Sequence, residues 1–410
     1  MDREILRTLA ARIREISEMP IQAEKRELHR AVNSKRMIRP VVLMDELPWN
    51  QLNGSGELTL KCENAFLRRV EDVFRKTLWK YDHCPCDMLV EPFYALPRSI
   101  TIGDIGISAP IGEVRMADKG NNIISRSLQD QLSSFDALEK LHVPEIYADD
   151  DKTNAEKEML TDIFGDLLPV KTVGLNHAGF LCPWDDLSFW RGVEAIYMDL
   201  YDEPELLHET MKRIMDIKKQ LLEKEIELEL LDDYLPLLHC TASLTDELPG
   251  KKENGKTLPK NMWARGMAQV FASVSPRMHD EFEIRYVKEY FDNFGLLYYG
   301  CCEPLHDKIE ILKQFKNLRK ISITPWADVR KAAERMGRDY VMARKPNPAA
   351  VGVLEINEDA LRKDILETLD ACRENETPVE FTLKDISSVC YKPENLEKWE
   401  RIVMETVLNY

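Results

Sequence analysis

The stretch LLYYGCCEP, residues 296–304, decides the fold, because a short apolar run ends on glycine and is followed by a proline. Short apolar runs bounded by turn residues are typical of strands buried inside a parallel sheet. Proline is tolerated in the first turn of a helix, so residues 304–315 are predicted to be helical. The stretch therefore predicts a strand, then a turn with two cysteines and a carboxylate, then a helix.

The same strand-and-helix unit recurs along the chain. Helical patterns separate the apolar runs, most clearly at 326–336, 358–374 and 393–408. Short buried strands that alternate with helices predict an α/β fold with a parallel sheet, and eight of them close into a (β/α)₈ TIM barrel. The other predicted strands cover residues 41–45, 87–91, 170–174, 235–240, 320–323, 340–343 and 379–382.

The sequence also predicts an N-terminal extension and two insertions in the barrel. Residues 1–34 are predicted to form an N-terminal helical extension, and residues 35–410 form the barrel itself. Residues 99–116 resemble an added hairpin, and 241–262 form a long polar loop rich in lysine. A loop of this length is either an active-site lid or a solvated surface loop, and the sequence leaves both interpretations open.

The composition limits the classes of partner. The formal net charge of −16 argues against nucleic acid, which requires a basic face. No run of apolar residues is long enough to span a membrane, and the N-terminus lacks the apolar core of a signal peptide, so we expect a cytoplasmic protein. The nine cysteines are expected to be free thiols or metal ligands; Cys62, Cys372, Cys84 and Cys86 are expected to be packing residues.

In a (β/α)₈ barrel the active site lies at the carboxyl ends of the strands. Cys301, Cys302 and Glu303 come directly after the strand at 296–300. Zinc binds cysteine sulfur, histidine nitrogen and carboxylate oxygen, so this turn is a candidate metal site, with His239 and Cys390 as further ligands. Neighbouring cysteines bind one metal only if the chain turns between them. The alternative is that the two cysteines fill space in a buried turn and that His239 is a hydrogen-bonded barrel residue.

Further strand-end residues are candidates for other roles. We expect His177, Glu91 and Glu303 to act in catalysis, by orienting the substrate or by transferring a proton. Trp326 and Asn347 are candidate substrate contacts. Glu281 and Glu283 are expected to face solvent. The chain has no dinucleotide-binding fingerprint, no P-loop and no nucleophile elbow, which argues against nucleotide chemistry.

Several segments resemble the uroporphyrinogen decarboxylase superfamily. The strongest is YYGCCEPLHDK, residues 298–308, and it is followed by segments in the order that the superfamily shows. The resemblance covers most of 35–410 and implies a TIM barrel that acts on a small molecule, often as a homodimer. The supporting segments are 317–326 (NLRKISITPW), 344–348 (RKPNP), 189–193 (FWRGV) and 199–204 (DLYDEP).

The resemblance leaves two kinds of activity. Haem-pathway decarboxylases hold substrate carboxylates with an arginine-rich motif, but the comparable stretch here, residues 39–49, carries Asp45 and Glu46. Like charges repel, so a polycarboxylated tetrapyrrole is disfavoured. A decarboxylase of another small acid, with Arg344 and Lys345 as cations, stays open as the alternative. So does a non-catalytic binding barrel.

The second branch comprises the corrinoid-linked methyltransferases, which are similar in fold and hold zinc through an HxC pair and a later cysteine. Here the HxC position reads Tyr299-Gly300-Cys301, so the histidine is absent. By the resemblance, Cys301 is a zinc ligand, Cys390 corresponds to the late cysteine, and a partner protein carries the corrinoid. The departure at Tyr299 favours demethylation, in which a methyl group moves from an ether or amine to the corrinoid protein.

Overall fold

The computed structural model describes residues 1–107, 128–250 and 255–410, together with the backbone of the strands Glu113–Arg115 and Ile124–Arg126. The helices are α1 (Asp2–Ser17), α2 (Pro20–Asn33), α3 (Ala65–His83), α4 (Asp150–Phe164), α5 (Pro183–Arg191), α6 (Val193–Asp199), α7 (Pro204–Glu227), α8 (Pro276–His279), α9 (Arg285–Phe291), α10 (Ile309–Leu312), α11 (Val329–Met336), α12 (Glu358–Glu374) and α13 (Glu394–Asn409). The strands are β1 (Val41–Met44), β2 (Tyr94–Pro97), β3 (Ile100–Ile102), β4 (Glu113–Arg115), β5 (Ile124–Arg126), β6 (Ile146–Ala148), β7 (Val170–Val173), β8 (Phe180–Leu181), β9 (Trp263–Gly266), β10 (Leu296–Tyr299), β11 (Leu318–Ile323), β12 (Val341–Arg344) and β13 (Val379–Leu383).

Seven strands form one parallel sheet in the order β1-β13-β12-β11-β10-β9-β8. From β9 to β13 consecutive strands are neighbours, and helices lie between them in the chain, as crossover connections require. The β2–β7 pair is also parallel and forms a separate two-stranded sheet. The predicted α/β class is therefore confirmed.

The two faces of the sheet have different coverings. Side chains alternate between the faces, so Ile321, Ile323 and Phe381 join the main hydrophobic core under the helices. The opposite face, which we call the inner face, carries Tyr298 and Lys320 among others, and residues 235–243 pack onto it through Leu238 and Ala242. Because both faces are covered, the strands consist of almost continuously buried residues.

The sheet is strongly curved toward its inner face. Lys384 directly follows β13 and Cys301 lies just past β10, three places along the strand order, yet Lys384 Nζ lies 3.2 Å from Cys301 Sγ. Strands in a flat sheet are spaced by about 4.8 Å, so three spacings would put these strands roughly 14 Å apart. The curvature therefore gathers the strand ends into one cluster.

Two predicted strands are wrong. Residues 235–240 form no strand: Pro236 has no amide to donate, and His239 and Cys240 adopt positive φ angles of 34° and 62°. The segment is apolar because it covers the inner face, and the strand at this point in the chain is β9. Residues 87–91 are also irregular, and the regular strand, β2, begins a few residues later at Tyr94.

The helical predictions hold where the periodicity is long. The prediction for 358–374 matches α12, and the N-terminal amphipathic pattern matches α1, which packs against α3 and α4. Residues 304–315 contain only the short helix α10. The division of the chain into 1–34 and 35–410 stays a prediction.

The predicted insertions are partly visible. The expected hairpin at 99–116 is not seen as such, because β3 pairs with β6 and β4 pairs with β5, both antiparallel. Its residues 108–112 and 116 lie outside the described residues, as do 251–254 of the polar loop. Among the described residues, no helix is both long and apolar enough to cross a membrane.

Candidate active site at the strand ends

Polar side chains that follow four strands converge at the carboxyl edge of the sheet. They come from the ends of β1, β10, β12 and β13, and the loop that covers the inner face adds two more. The carboxyl ends of parallel strands meet at one edge, which is where α/β proteins place their active sites. The residues are Glu46, His239, Cys240, Cys301, Cys302, Lys345, Lys384 and Asp385.

Gly300 makes the turn that brings Cys301 and Cys302 together. Its φ is 102°, a backbone conformation that favours glycine, and a Cβ there would lie 2.5 Å from Leu305 Cδ1. The turn places the two sulfur atoms 3.7 Å apart. Ser322 Oγ donates to the carbonyl of Cys301 at 2.8 Å and holds the turn against β11. Both thiols therefore point to the same place, as a shared metal requires.

Lys384 lies between the two thiols. Its ammonium is 3.2 Å from Cys301 Sγ and 3.4 Å from Cys302 Sγ, and it pairs with Asp385 at 2.6 Å. Cys302 has one thiol hydrogen, and both Asp385 Oδ2 at 3.1 Å and Cys301 Sγ at 3.7 Å lie within reach of it. Carboxylate and thiols thus form one compact group around the buried ammonium of Lys384.

The two thiols have opposite pKa shifts. The hydrogen bond from the Cys302 thiol lowers the pKa of Cys301, and His239, Lys384 and Arg265 lower it further. The same hydrogen bond, together with burial, raises the pKa of Cys302. The pair therefore holds one thiolate, on Cys301, which is the form that binds metals and attacks electrophiles.

A histidine, a thiol and a carboxylate form a second group beside the first. The ligand atoms of Glu46, His239 and Cys240 all lie within 4.8 Å of one another, and His239 Nε2 is 3.4 Å from Glu46 Oε1. All three residues have positive φ, with 50° at Glu46. Non-glycine residues adopt this conformation seldom, and where it persists the surrounding contacts impose it.

Two buried lysines contact the backbone of the loop that carries His239 and Cys240, while the carbonyl of Glu46 accepts from Ile386 N at 3.3 Å. Lys345 donates to the carbonyl of Cys240, and Lys320 donates to the carbonyl of Ala242 at 2.6 Å. Lys320 also pairs with Glu380 at 2.8 Å, and both side chains are fully buried. Thr241 Oγ1 is hydrogen-bonded to the same carboxylate. The ion pair on the inner face thus fixes the loop that presents His239 and Cys240.

The donor set fits zinc chemistry. Thiolates, an imidazole and a carboxylate are its preferred ligands, and here they are half-buried or buried. The structure brings Cys301 and Cys302 together and sets His239 against Cys301. Among the described residues, the group whose ligand atoms all lie within 4.8 Å of one another is Glu46, His239 and Cys240. Cys390 is placed differently: its thiol donates to the carbonyl of Gly352 at 3.2 Å, and no contact joins it to the other thiols in the described part of the chain.

Glu303 is buried beneath the cysteine turn. Its two oxygens accept from the amides of Cys301 at 3.0 Å and Ala268 at 3.3 Å, so it positions Cys301 through the backbone. Burial raises the pKa of the Glu303 carboxyl to about 7. A carboxyl that titrates near neutral pH is suited to proton transfer.

The other two predicted catalytic residues lie outside the cluster. His177 lines a cavity with Phe180 and Glu225, where burial lowers its pKa. Glu91 is paired with Arg26 at 2.9 Å and lines a different cavity. The structure does not bring either residue to the thiols, and their catalytic roles stay predictions.

Of the two predicted substrate contacts, one lines the cavity beside the thiols and the other does not. Trp326 lines a cavity of about 210 Å³ together with Cys301 and Cys302, and its side chain is largely exposed. Asn347 caps the short turn at Pro348–Ala350 by accepting from the amide of Ala349 at 2.9 Å. It shapes the cavity wall through Pro348 rather than lining it.

The environment of Tyr299 explains the absent histidine. Tyr299 lies on the helix-covered face, where its hydroxyl is 2.8 Å from His279 Nε2 and donates to Glu283 at 2.9 Å. A histidine at this position would point away from the thiols. The expectation that Glu283 faces solvent is wrong: it is fully buried, because it is the partner that the buried Tyr299 requires.

Sequence reasoning missed two cations and the partners of His239. Lys384 and Arg265 both lower the pKa of Cys301, but neither stands in a motif. Sequence reasoning used Glu46 only as a negative charge that disfavours a tetrapyrrole, and it gave Cys240 no role, whereas the structure places both beside His239. The available signal was a charged residue directly after a buried strand, as in Lys345 and Lys384.

No protein-family model matches the chain, and no curated protein matches it. Among solved structures, the chain is similar to a methyltransferase from Methanosarcina mazei, with 12% sequence identity and a TM-score of 0.48. The match covers 93% of this chain and 97% of the other. A similarity at this level establishes neither family nor activity, so function rests on the site itself.

Proposed function

We propose that this chain is a metal-assisted methyltransferase that moves a methyl group from a small methyl ether or amine to a corrinoid carried by a partner protein. One observation carries the proposal: two thiols, an imidazole and a carboxylate converge beside a small cavity at the strand ends. The resemblance of the strand-end segments to the corrinoid-linked methyltransferases supports the same reading.

The metal is proposed to be zinc, held by His239 either with Cys301 and Cys302 or with Glu46 and Cys240. Among the described residues the ligand atoms of the second set all lie within 4.8 Å of one another, whereas the ammonium of Lys384 lies between the two thiols of the first set. When bound, it would supply Lewis acidity that polarises the heteroatom bearing the methyl group. Cys390 is proposed as a ligand only through the resemblance, and its contact with Gly352 counts against it.

The protein groups have distinct roles in this proposal. Lys384 keeps Cys301 in the thiolate form, and Asp385 in turn orients Lys384. Glu303 supplies or accepts a proton next to the thiol turn, since its pKa is raised to about 7. Trp326 closes one side of the cavity and limits access of water to the methyl group.

We propose further that the fold closes as an eight-stranded (β/α)₈ barrel, formed by β1, β2, β7 and β9 to β13. The main sheet is curved, and the parallel β2–β7 pair would fill the gap between its edges. Segments next to this pair in the chain reach both edges of the main sheet. Asp87 N, which precedes β2, donates to Val42 O at 2.9 Å, and β8, which follows β7, pairs with β9, where Arg265 N donates to Gly179 O at 2.9 Å.

The test combines metal content with methyl transfer. Purified protein is expected to contain zinc and to methylate free cob(I)alamin from a small methyl ether, followed by visible absorbance. Cys301→Ser is expected to lose both, whereas Cys390→Ser, the matched control, keeps the metal. Equal metal content in the two variants would contradict the proposed zinc site at Cys301. A metal-loaded protein that methylates no corrinoid would contradict the proposed methyl transfer.

The alternative is a decarboxylase of a small acid, and one observation favours it. Lys345 is a buried cation on the cavity wall, whereas Arg344 faces the helices and pairs with Asp364 at 3.0 Å. The cavity of about 210 Å³ favours a small acid over a tetrapyrrole, because pockets for drug-sized ligands measure about 300 Å³ or more. Release of carbon dioxide from a small acid without a corrinoid acceptor would establish this alternative.

A further inference from the structure

The cavity beside the thiols has walls of two kinds. Cys301 and Cys302 form one kind, and Trp326 and Pro348 form the other. The cavity measures about 210 Å³, and its charged and polar lining also includes Thr324, Lys345, Lys384 and Asp385. Its small volume implies a ligand of few atoms, with an apolar part that packs against the tryptophan and proline.

Lys345 is buried and makes no salt bridge among the described residues. Its side chain is 2% exposed, donates to the carbonyl of Cys240 and lies 5.6 Å from the centroid of the Tyr298 ring. Lys384, the other cation of the cavity, already contacts two thiols and Asp385. An ammonium has three hydrogens to donate, so Lys345 retains donors that its surroundings leave unused. A buried charge of this kind is costly unless an opposite charge accompanies it.

Thr324 provides a second, independent indication. It is 1% exposed, and its hydroxyl has no hydrogen-bond partner in the described part of the chain. Buried polar groups nearly always have a partner. Thr324 directly follows β11 and Lys345 directly follows β12, and the register Ile323↔Arg344 makes them neighbours across the two strands. An unpartnered hydroxyl and an unpaired ammonium thus lie side by side on the cavity wall.

We propose that Lys345 and Thr324 form a carboxylate-binding subsite, so that the substrate is a small carboxylic acid bearing a methyl ether. Two adjacent donors match the two oxygens of a carboxylate. The apolar body of the substrate packs against Trp326, and the ether oxygen faces Cys301 and Cys302. A protonated or quaternary methylamine is disfavoured, because it would bring a second positive charge beside Lys345. The methyl ether in this inference rests on the proposed function, whereas the carboxylate does not.

The test uses three ligands of the same shape and different charge: para-methoxybenzoate, para-methoxybenzamide and para-methoxybenzamidine. Their binding to the full chain is measured by isothermal titration calorimetry. The carboxylate is expected to bind at least about tenfold more tightly than the neutral amide, as charge-assisted hydrogen bonds imply, and the amidinium least of all. Equal affinity for the three ligands, or a preference for the amidinium, would overturn the subsite.

Variants locate the effect. Lys345→Gln is expected to weaken binding of the carboxylate by about tenfold and to leave binding of the amide within about twofold. Thr324→Val keeps the shape of the wall and is expected to give a smaller loss in the same direction. Lys363→Gln, at an exposed lysine of α12, is the matched control and should change nothing. A loss of both ligands to the same extent in Lys345→Gln and Thr324→Val would contradict the proposal.

The binding assay requires no methyl transfer, which separates the two proposals. A preference for the carboxylate in a protein that methylates no corrinoid would overturn the proposed function and leave the subsite standing. Methyl transfer from neutral ethers or amines, with no preference for acids, would overturn the subsite and leave the proposed function standing.

Discussion

At the residue scale, the chemistry depends on Cys301 and on what surrounds it. Gly300 turns the chain so that the two sulfur atoms lie 3.7 Å apart, and Lys384 supplies the positive charge between them. Removal of Lys384 would leave the thiolate with only hydrogen bonds and the more distant Arg265 to stabilise it. The pKa of Cys301 is lowered most by the hydrogen bond from Cys302, and Lys384 lowers it further, so the reactivity of Cys301 should respond to loss of this cation.

We predict that Cys301 in metal-free protein reacts with iodoacetamide well below the pH at which an ordinary thiol does, which is about 8.5. Its pKa is lowered, so the thiolate is present above that lowered value and disappears only as the pH falls through it. Lys384→Met raises the pKa and moves the midpoint of alkylation upward. Peptide-resolved mass spectrometry across pH measures the shift, with Lys363→Met as the control. An unchanged midpoint in Lys384→Met would show that this ammonium does not stabilise the thiolate.

At the scale of elements, the loop over the inner face decides whether the site is complete. It carries His239 and Cys240, and it is held by an ion pair between two central strands, from Lys320 on β11 to Glu380 on β13. A segment that was expected to be a strand is thus a loop that covers the inner face, and lysines bind its backbone carbonyls. Its positive φ angles persist because these contacts hold them.

We predict that Glu380→Gln lowers the free energy of unfolding by about 3–5 kcal/mol, because it leaves Lys320 buried without its counter-charge. The double variant Lys320→Met with Glu380→Leu should recover much of this loss, since an apolar pair replaces a buried ion pair at little cost. Glu358→Gln, which breaks an exposed pair with Arg401, should cost at most about 1 kcal/mol. Urea unfolding measures all three, and a Glu380→Gln protein as stable as the wild type would contradict the role of the pair.

At the scale of the whole molecule, the curvature of the sheet is what makes a site. It brings together groups from β1, β10, β12, β13 and a loop, which are up to several hundred residues apart in the chain. Any ligand shared by these groups connects distant parts of the fold. Ligand binding should then stabilise the folded chain against global unfolding.

We predict that zinc raises the melting temperature of metal-free protein, because a metal bound only by the folded state adds about 2.7 kcal/mol at a concentration of 100 times Kd. Cys301→Ser should abolish the increase, whereas Cys390→Ser should retain it, since that thiol contacts Gly352 instead. Differential scanning calorimetry measures the shift. An increase that survives in Cys301→Ser would place the metal elsewhere.

The sequence by itself determined the alternation of strands and helices and the position of the thiol turn. These depend on local properties: runs of apolar residues, the periodicity of α12, and a glycine that allows the turn before Cys301. The location of the candidate site at the strand ends follows from the parallel arrangement of the strands, so the sequence predicts that location as well. The strands at 87–91 and 235–240 were misplaced, because burial alone does not distinguish a strand from an apolar loop.

The tertiary structure alone decided which groups meet. It placed Lys384 between the thiols and put Tyr299 on the helix-covered face. Among the described residues it also left Lys345 without a salt bridge, and the Thr324 hydroxyl without a hydrogen bond, beside the cavity. Such pairings join residues that are far apart in the chain and depend on the curvature of the sheet and on the path of the covering loop. No local sequence pattern predicts the curvature or the path of the loop, because each results from the packing of the whole sheet against its helices.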